Sequence, residues 1–447
     1  MNIVIAGAGA VGTHLAKLFA REHHDVVLID QSEKRLSAVA NYVDILTVHG
    51  SAISLETLEE AHVAACDLLV GVTPDESVNM MCCILSKKLG AKKTVARIDN
   101  ALYNTKDNRE YFRQLGIDSM VYPEGLVGTE INRLILRPWA RQWWEVQDGQ
   151  LVVLGVKLRK GCAILDRPIS EICAHDAPLH ITAIKRAGET LIPHGNDVLR
   201  VNDLAFIMTT PNHIEYVQEI VGKAHTPEAT DVIYMGATPS ALCSVNTLPK
   251  NIHGKMFEPD TERIPEIERQ IKNGRVMLLN ADARDMDVLM EENIKNHQVF
   301  IAATENSETN ILACMAAHRM GVPKTIAMVE NTEYIAFAES LDIGSIINKK
   351  TFAAGHIYRM MLRSDIESVK ALNIAAAEVA EYKVKEGSLI TKNPVKLLGL
   401  PAYANIGGYV RNGKGHFVNG DTVFEAGDIV VVFCLEGYLK KLERFFK

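Results

Sequence analysis

The sequence predicts an α/β protein: two Rossmann-like, doubly wound parallel-sheet domains, each followed by a small α+β domain, arising by internal duplication. Three observations predict it. A short apolar run, Asn2-Ile3-Val4-Ile5-Ala6, enters a G-x-G-x-x-G turn, Gly7-Ala8-Gly9-Ala10-Val11-Gly12, which opens directly into Thr13-His14-Leu15-Ala16-Lys17-Leu18-Phe19. Strand-like and helix-like patterns then alternate to about Tyr122, the rhythm of a parallel sheet with its ligands at the carboxyl ends of the strands. The second half of the chain repeats the first, in the same order.

The opening element is a strand, a glycine turn and a helix. Gly7 permits the sharp turn, Gly9 lets backbone approach a pyrophosphate, and Gly12 lets the helix pack tightly on the strand. Free N–H groups and the dipole at the helix start favour phosphate charge, so the whole loop from Gly7 through Ala8, Gly9, Ala10 and Val11 to Gly12 is a candidate cofactor site. The second strand, Val26-Val27-Leu28-Ile29, ends in Asp30. A carboxylate there accepts both ribose hydroxyls and repels a 2′-phosphate, favouring NAD(H) or an adenine nucleotide over NADP. Further strands follow at Ile45–Val48, Leu68–Thr73, Thr94–Ile98 and Met120–Tyr122, with a clear helical pattern over Glu76–Leu89. Their ends supply Ser51, Thr73, Pro74 and Arg97. Thr73 is placed to hydrogen-bond a ribose or phosphate. Arg97 can hold a phosphate in a fork or pair with a neighbouring acid. His49 also ends a strand, but a local hydrogen bond is expected of it because no catalytic partner is visible.

After Gly125 a helix runs to about Leu136, and Trp139, Trp143 and Trp144 follow beside arginines at a domain joint. Aromatics there imply a buried hinge, a subunit contact or an interdomain core. From about Glu145 to Gly222 short alternating strands and glycine turns describe a small α+β unit, and His225–Thr230 reads as a linker.

The first domain then recurs. Gly236 falls over Gly7, with Ala237 beside it, Thr238 in place of Gly9 and Ala241 in place of Gly12. The acid survives as Glu258, though the intervening helix is altered. Asp282 lies in the stretch matching Gly50-Ser51, and Thr304 matches Thr73, each threonine with an asparagine six residues on. Lys324 through Glu330 and Asn331 match Lys93 through Asp99 and Asn100, with Met328 where Arg97 stood. Gly420 through Val430 then repeat Gly195 through Ala205. The predicted domains are 1–123, 143–227, 231–348 and 367–447.

Composition narrows the function. Hydrophobic residues make up 47% and charged residues 23%, an ordinary globular balance. A net charge of −7 gives no reason to expect nucleic acid as a partner. No apolar run is long enough to span a bilayer, and the first strand is too soon broken by glycine to be a signal peptide. The eight cysteines form no C-x-x-C, and the adjacent Cys82 and Cys83 are expected in a helix core rather than as a redox pair. A cytoplasmic protein without structural metal is expected. No nucleophile elbow, zinc motif or P-loop is present, and no acid–base constellation accompanies the fingerprint, so a non-enzymatic sensor is expected rather than an oxidoreductase.

The duplicated order of domains, with Gly7–Gly12, Asp30, Thr73-Pro74-Asp75, Arg97-Ile98-Asp99 and the degenerate second copy, resembles the tandem RCK (regulator of potassium conductance) family. In that family such chains serve Trk-type potassium uptake systems. The resemblance spans the whole chain. It implies a peripheral regulatory subunit on the inner face of the membrane, a homo-oligomer (dimer or tetramer) docked on a potassium-translocating membrane subunit. It also implies NAD(H) and ATP/ADP as ligands whose binding moves domains and gates uptake. The alternatives are an NAD-dependent oxidoreductase and a nucleotide-sensing regulator of another cation channel or exchanger. Pro239 removes an amide donor from the second loop, which also lacks the second and third glycines, so weaker or altered binding is expected there. Glu258, Asp282, Thr304 and Glu330 remain as ribose or adenosine contacts.

Overall fold

The computed structural model describes residues 1–147, 149–174, 177–361, 366–371, 377–435 and 438–446. The chain divides into two compact units, residues 1–127 with 349–361, and residues 128–348 with 362–447.

The first unit is built on six strands: β1 (Asn2–Ala6), β2 (Asp25–Asp30), β3 (Leu46–His49), β4 (Leu68–Gly71), β5 (Lys93–Arg97) and β6 (Ser119–Val121). They form one sheet in the order β3-β2-β1-β4-β5-β6, every pairing parallel. Central strands are covered on both faces, which is why β1 and β4 read as continuous apolar runs rather than alternating ones. The helix predicted over Glu76–Leu89 has those bounds. The Asp75 carboxylate accepts from the N–H groups of Ser77 and Val78 at 2.7 and 3.2 Å, and Gly90, at φ 124°, ends the helix. Its buried face carries Asn79, Cys82, Cys83 and Ser86. Burial pushes the Cys82 thiol up to about 12 and the Cys83 thiol well above its ordinary range, so both are inert core residues. The helix Lys349–Met361 packs on the first helix, Ala10–Arg21, with the rings of Phe19 and Tyr358 5.6 Å apart.

The second unit begins with the later part of the helix Pro123–Ile135. A Cβ at Gly128 would lie 2.7 Å from that of Cys243, so glycine permits close packing against the helix Pro239–Asn246. Asn132 locks the contact through Ser244 and Thr247.

The first small sheet contains β7 (Gln142–Val146), β8 (Leu151–Lys157), β9 (Leu179–Arg186), β10 (Glu189–Leu191) and β11 (Leu204–Thr209), antiparallel in the order β10-β9-β11-β8-β7. Along β8, Val152, Leu154 and Val156 enter one core with Trp139 and Trp143, while Leu151 and Val153 enter another. The second core is shared with Val379, Val431 and Phe433 of the last domain, and Trp144 packs beside it. The tryptophans are therefore interior packing, and Arg137 stacks 4.5 Å over Trp143.

A second six-stranded parallel sheet follows, comprising β12 (Asp231–Met235), β13 (His253–Phe257), β14 (Val276–Leu279), β15 (Val299–Ala302), β16 (Lys324–Met328) and β17 (Ser345–Ile347). Its order, β14-β13-β12-β15-β16-β17, repeats the first topology strand for strand. The altered helix is a short one: Pro239–Asn246 has 8 residues against 12 in Ala10–Arg21.

The last sheet comprises β18 (Ile366–Ala371), β19 (Ala377–Lys383), β20 (Ala404–Arg411), β21 (Lys414–Phe417) and β22 (Ile429–Leu435), in the order β18-β19-β22-β20-β21. One ion pair recurs in both small domains. Arg186 grips Asp203 through two N–H···O bonds of 2.9 and 2.7 Å and donates to the Val198 carbonyl; Arg411 does the same to Asp428, at 2.8 and 2.7 Å, and to Val423. Both carboxylates are buried. The repeated aspartates at the end of the duplicated motif are thus anchors of the small-domain fold.

Candidate functional site

In the first unit the strand order reverses between β1 and β4, the position where an open α/β sheet leaves a crevice for a ligand. The glycine loop lies there. Gly7 has φ 114°, and a Cβ on it would sit 2.9 Å from the Thr73 nitrogen, so this turn excludes any side chain. A Cβ on Gly12 would fall 1.8 Å from the Gly7 carbonyl oxygen. A Cβ on Gly9 would meet nothing within 4 Å. Two glycines are therefore required by the protein itself, while the third faces open space.

The helix opened by this loop, Ala10–Arg21, has no side-chain cap at Gly9. Three other helices of the same domain are capped, by Ser32, Ser54 and Asp75. The amide donors of Ala10, Val11 and Gly12 thus sit at an uncapped, positive helix end, suited to an anion. Asp30, at the end of β2, is aimed at the loop. Its Oδ2 accepts the Ala8 N–H at 2.7 Å and its Oδ1 the Ser32 N–H at 2.8 Å. A carboxylate has about four acceptor positions, so two bonds leave room for ribose hydroxyls. Arg35 stands 4.0 Å away and is largely exposed.

The other predicted residues have more local duties. Thr73 donates its hydroxyl to the Asn79 carbonyl oxygen at 2.8 Å and its N–H to the same atom at 2.7 Å. Asn79 in turn donates to the carbonyls of Thr73 and Arg97, both at 3.0 Å, so this pair clamps the ends of β4 and β5 together. Pro74 lies between the clamp and the Asp75 cap. Arg97 pairs with Asp99 at 2.9 Å. Ser51 accepts weakly from the Ile53 N–H at 3.5 Å, and His49 bonds the Gln31 carbonyl at 3.0 Å. Glu76, which carried no expectation, accepts the N–H groups of Asp99 and Asn100 at 2.8 and 2.9 Å and so shapes the loop after β5.

The second sheet brings Gly236, Ala237, Thr238, Glu258 and Thr304 to the corresponding place. Gly236, at φ 93°, still faces the end of the neighbouring strand, where a Cβ would meet Ala303 and Thr304 at about 3 Å. Thr304 and Asn310 rebuild the clamp, with bonds of 2.6 and 3.1 Å, and Asn310 reaches the Met328 carbonyl at 2.8 Å. The acid is engaged differently. Glu258 is buried, and Arg263 binds it at 3.0 Å while donating to the Ala237 carbonyl at 3.1 Å. The guanidinium thus bridges acid and loop, whereas Arg35, in the same register of the first copy, reaches Asp30 only at 4.0 Å from an exposed position. Asp282 is taken by Arg284, which holds its carboxyl below the usual range. Glu330 closes β16, its N–H bonded to Ser307 at 3.0 Å. Among the described residues no group of His, Cys, Asp or Glu is placed to hold a metal ion, and no helix is long and apolar enough to cross a membrane.

Known proteins share this order of domains. The TrkA-N domain family matches residues 3–123 and 232–349, and the TrkA-C domain family matches residues 153–222 and 379–447. The Trk system potassium uptake protein TrkA of Azorhizobium caulinodans is 28% identical over 454 residues, covering 100% of this chain and 99% of the relative. A TrkA homolog of Archaeoglobus fulgidus is 29% identical over 450 residues, covering 100% of both chains. Among solved structures, the RCK domain of GsuK superposes with a TM-score of 0.61 at 14% identity, over 100% of this chain and 94% of that one. The GsuK channel bound to NAD gives 0.60 at 14% identity, over 100% and 78%. These two likenesses establish the fold.

Proposed function

The chain belongs to the TrkA family, with TrkA-N and TrkA-C domains in tandem, and from that premise we propose that it is the nucleotide-sensing regulatory subunit of a Trk-type potassium uptake system. Its first Rossmann-like domain binds NAD(H), ATP or ADP, and the bound state moves domains to gate a potassium-translocating membrane subunit. The protein acts as a homo-oligomer, a dimer or tetramer, peripheral to the inner face of the cell membrane. The segments 1–123, 143–227, 231–348 and 367–447 are its functional domains.

One observation carries this reading. The glycine loop ends in open space at an uncapped helix start, with the Asp30 carboxylate fixed beside it. In this arrangement Gly7–Gly12 would take the pyrophosphate and Asp30 the ribose. Ser51, Thr73, Pro74 and Arg97 would border the ligand from neighbouring strand ends. The GsuK channel, of like fold, has been seen with NAD. A non-enzymatic role is supported by the residues near the loop: His49, Thr73 and Arg97 are each engaged in local bonds rather than poised as acid or base.

The second domain binds nucleotide more weakly or differently, because Arg263 occupies Glu258 and spans to the loop. Pro239 also removes an amide donor there. Ala237, Thr238, Asp282, Thr304 and Glu330 are the contacts left to it.

Titration of the full chain with NADH, NAD, ATP and ADP tests both parts. Gly9→Asp puts charge where a pyrophosphate would lie, in space that is open in the protein. Expected is high-affinity binding in the parent chain, lost in Gly9→Asp without a fall in Tm. Two equal sites per chain, abolished only when both loops are changed, would overturn the asymmetry. Undiminished binding in Gly9→Asp would overturn the site.

A further inference from the structure

In the second unit, a cavity of about 550 Å³ lies between the first small domain and the second Rossmann-like sheet, and no residue of either glycine loop lines it. Its wall carries Arg141, Lys157, Arg159, Lys223 and Lys324, and Asp342 is the one acid among the described residues that line it. This concentration of cations stands out in a chain of net charge −7. Of the further acids that act on these cations, Glu339 is already paired with Lys185 at 2.6 Å and Asp203 with Arg186 at 2.7 Å.

Three of the five cations are held in place by polar partners. Asp342, itself at φ 60°, pairs with Arg141 at 2.5 Å and with Arg159, and Arg159 also donates to Asn202 at 2.9 Å. Lys324 is 3% exposed and donates to the Ala140 carbonyl at 2.6 Å and the Ser345 hydroxyl at 2.8 Å. Lys157 and Lys223 make no ion pair and no side-chain hydrogen bond among the described residues. Burial lowers all five cations from their ordinary values, Arg141 to about 10. Arg141, Lys157, Lys223 and Lys324 are each further disfavoured by the charge of another member of the group. Like charges crowded into a half-buried cavity cost stability until an anion offsets them, and fixed guanidinium forks beside mobile ammonium groups suit phosphate oxygens.

We propose that this cavity is a second ligand site, distinct from the glycine loop, which binds an oligophosphate anion through Lys157 and Lys223, with Arg141 and Arg159 presented by Asp342. The shared chemistry is the phosphate chain, whether free or the tail of a nucleotide. The inference does not depend on nucleotide binding by the first domain.

The test is calorimetric titration of the full chain with tripolyphosphate, in a Gly9→Asp background so that the loop makes no contribution. One saturable site per chain is expected, with a rise in Tm on binding. The double variant Lys157→Gln/Lys223→Gln removes no ion pair or side-chain hydrogen bond among the described residues, so it should fold normally and bind about tenfold or more weakly. Comparison of pyrophosphate with ADP then identifies the source: equal affinity assigns the site to free phosphate chains, and tighter ADP assigns it to a nucleotide. Absence of saturable tripolyphosphate binding, or binding undiminished in the double variant, would overturn the proposal.

Discussion

Gly7 and Gly9 lie two residues apart in one loop, yet substitution should separate them. Gly7→Ala forces a methyl against the Thr73 backbone at a φ that L-residues avoid, and is expected to cost about 1–3 kcal/mol. Gly9→Ala meets open space and should leave the Tm nearly unchanged, so thermal unfolding of the pair checks whether the second glycine serves the ligand rather than the fold. A second residue-scale prediction concerns His180, whose imidazole is pushed down to about 4 by burial, partly offset by the Asn405 side chain. The folded protein therefore resists a proton that the unfolded chain accepts near 6.5. Stability from this group is intact above that pH and is lost as pH falls toward 4. His180→Gln should flatten that part of the Tm-against-pH curve, and an unchanged slope would show that other groups set it.

At the scale of elements, two motifs hold each repeat together. Asn79 ties β4 to β5, and Asn79→Ala should cost about 1–3 kcal/mol by stranding the carbonyls and hydroxyl it serves, as seen in denaturant unfolding. Asp203→Ala leaves the Arg186 fork without its acceptor and should cost about 2–3 kcal/mol, discounted for the partial exposure of the arginine. Much at this scale was legible in the sequence. The helix Glu76–Leu89 announced itself through Asp75 before it and Gly90 after it, and the parallel sheets through their apolar strands and repeated order. The site was legible where backbone geometry demands a residue type, as at Gly7, Gly12 and Asp30. It was less so where side chains choose partners. The six-residue Thr–Asn spacing was visible in both copies, but spacing cannot tell that the asparagine takes the hydroxyl proton and leaves only the oxygen's acceptor positions for a ligand. Arg97 turned to Asp99, the bland alternative. Arg263 escaped notice because a strand-end acid reads the same with or without a guanidinium folded onto it. Along β8 the unbroken burial comes from two separate cores, one shared with a strand more than 200 residues away, which local pattern cannot register.

For the whole molecule, duplication has produced two sheets of one topology whose glycine loops have diverged: one open, one spanned by an arginine. On the proposed function, nucleotide acts chiefly through the first half, since a ligand shifts a conformational equilibrium only through unequal affinity for its states. Small-angle scattering should therefore show a nucleotide-dependent change of shape in the parent protein and none in Gly9→Asp. The measurement that tests the regulatory function most directly is potassium uptake through a Trk-type membrane subunit in cells lacking their own regulatory subunit. The parent chain is predicted to restore uptake, and Gly9→Asp, equally folded and equally abundant, to fail. Uptake restored to the same level by Gly9→Asp would contradict a nucleotide-gated role for this protein.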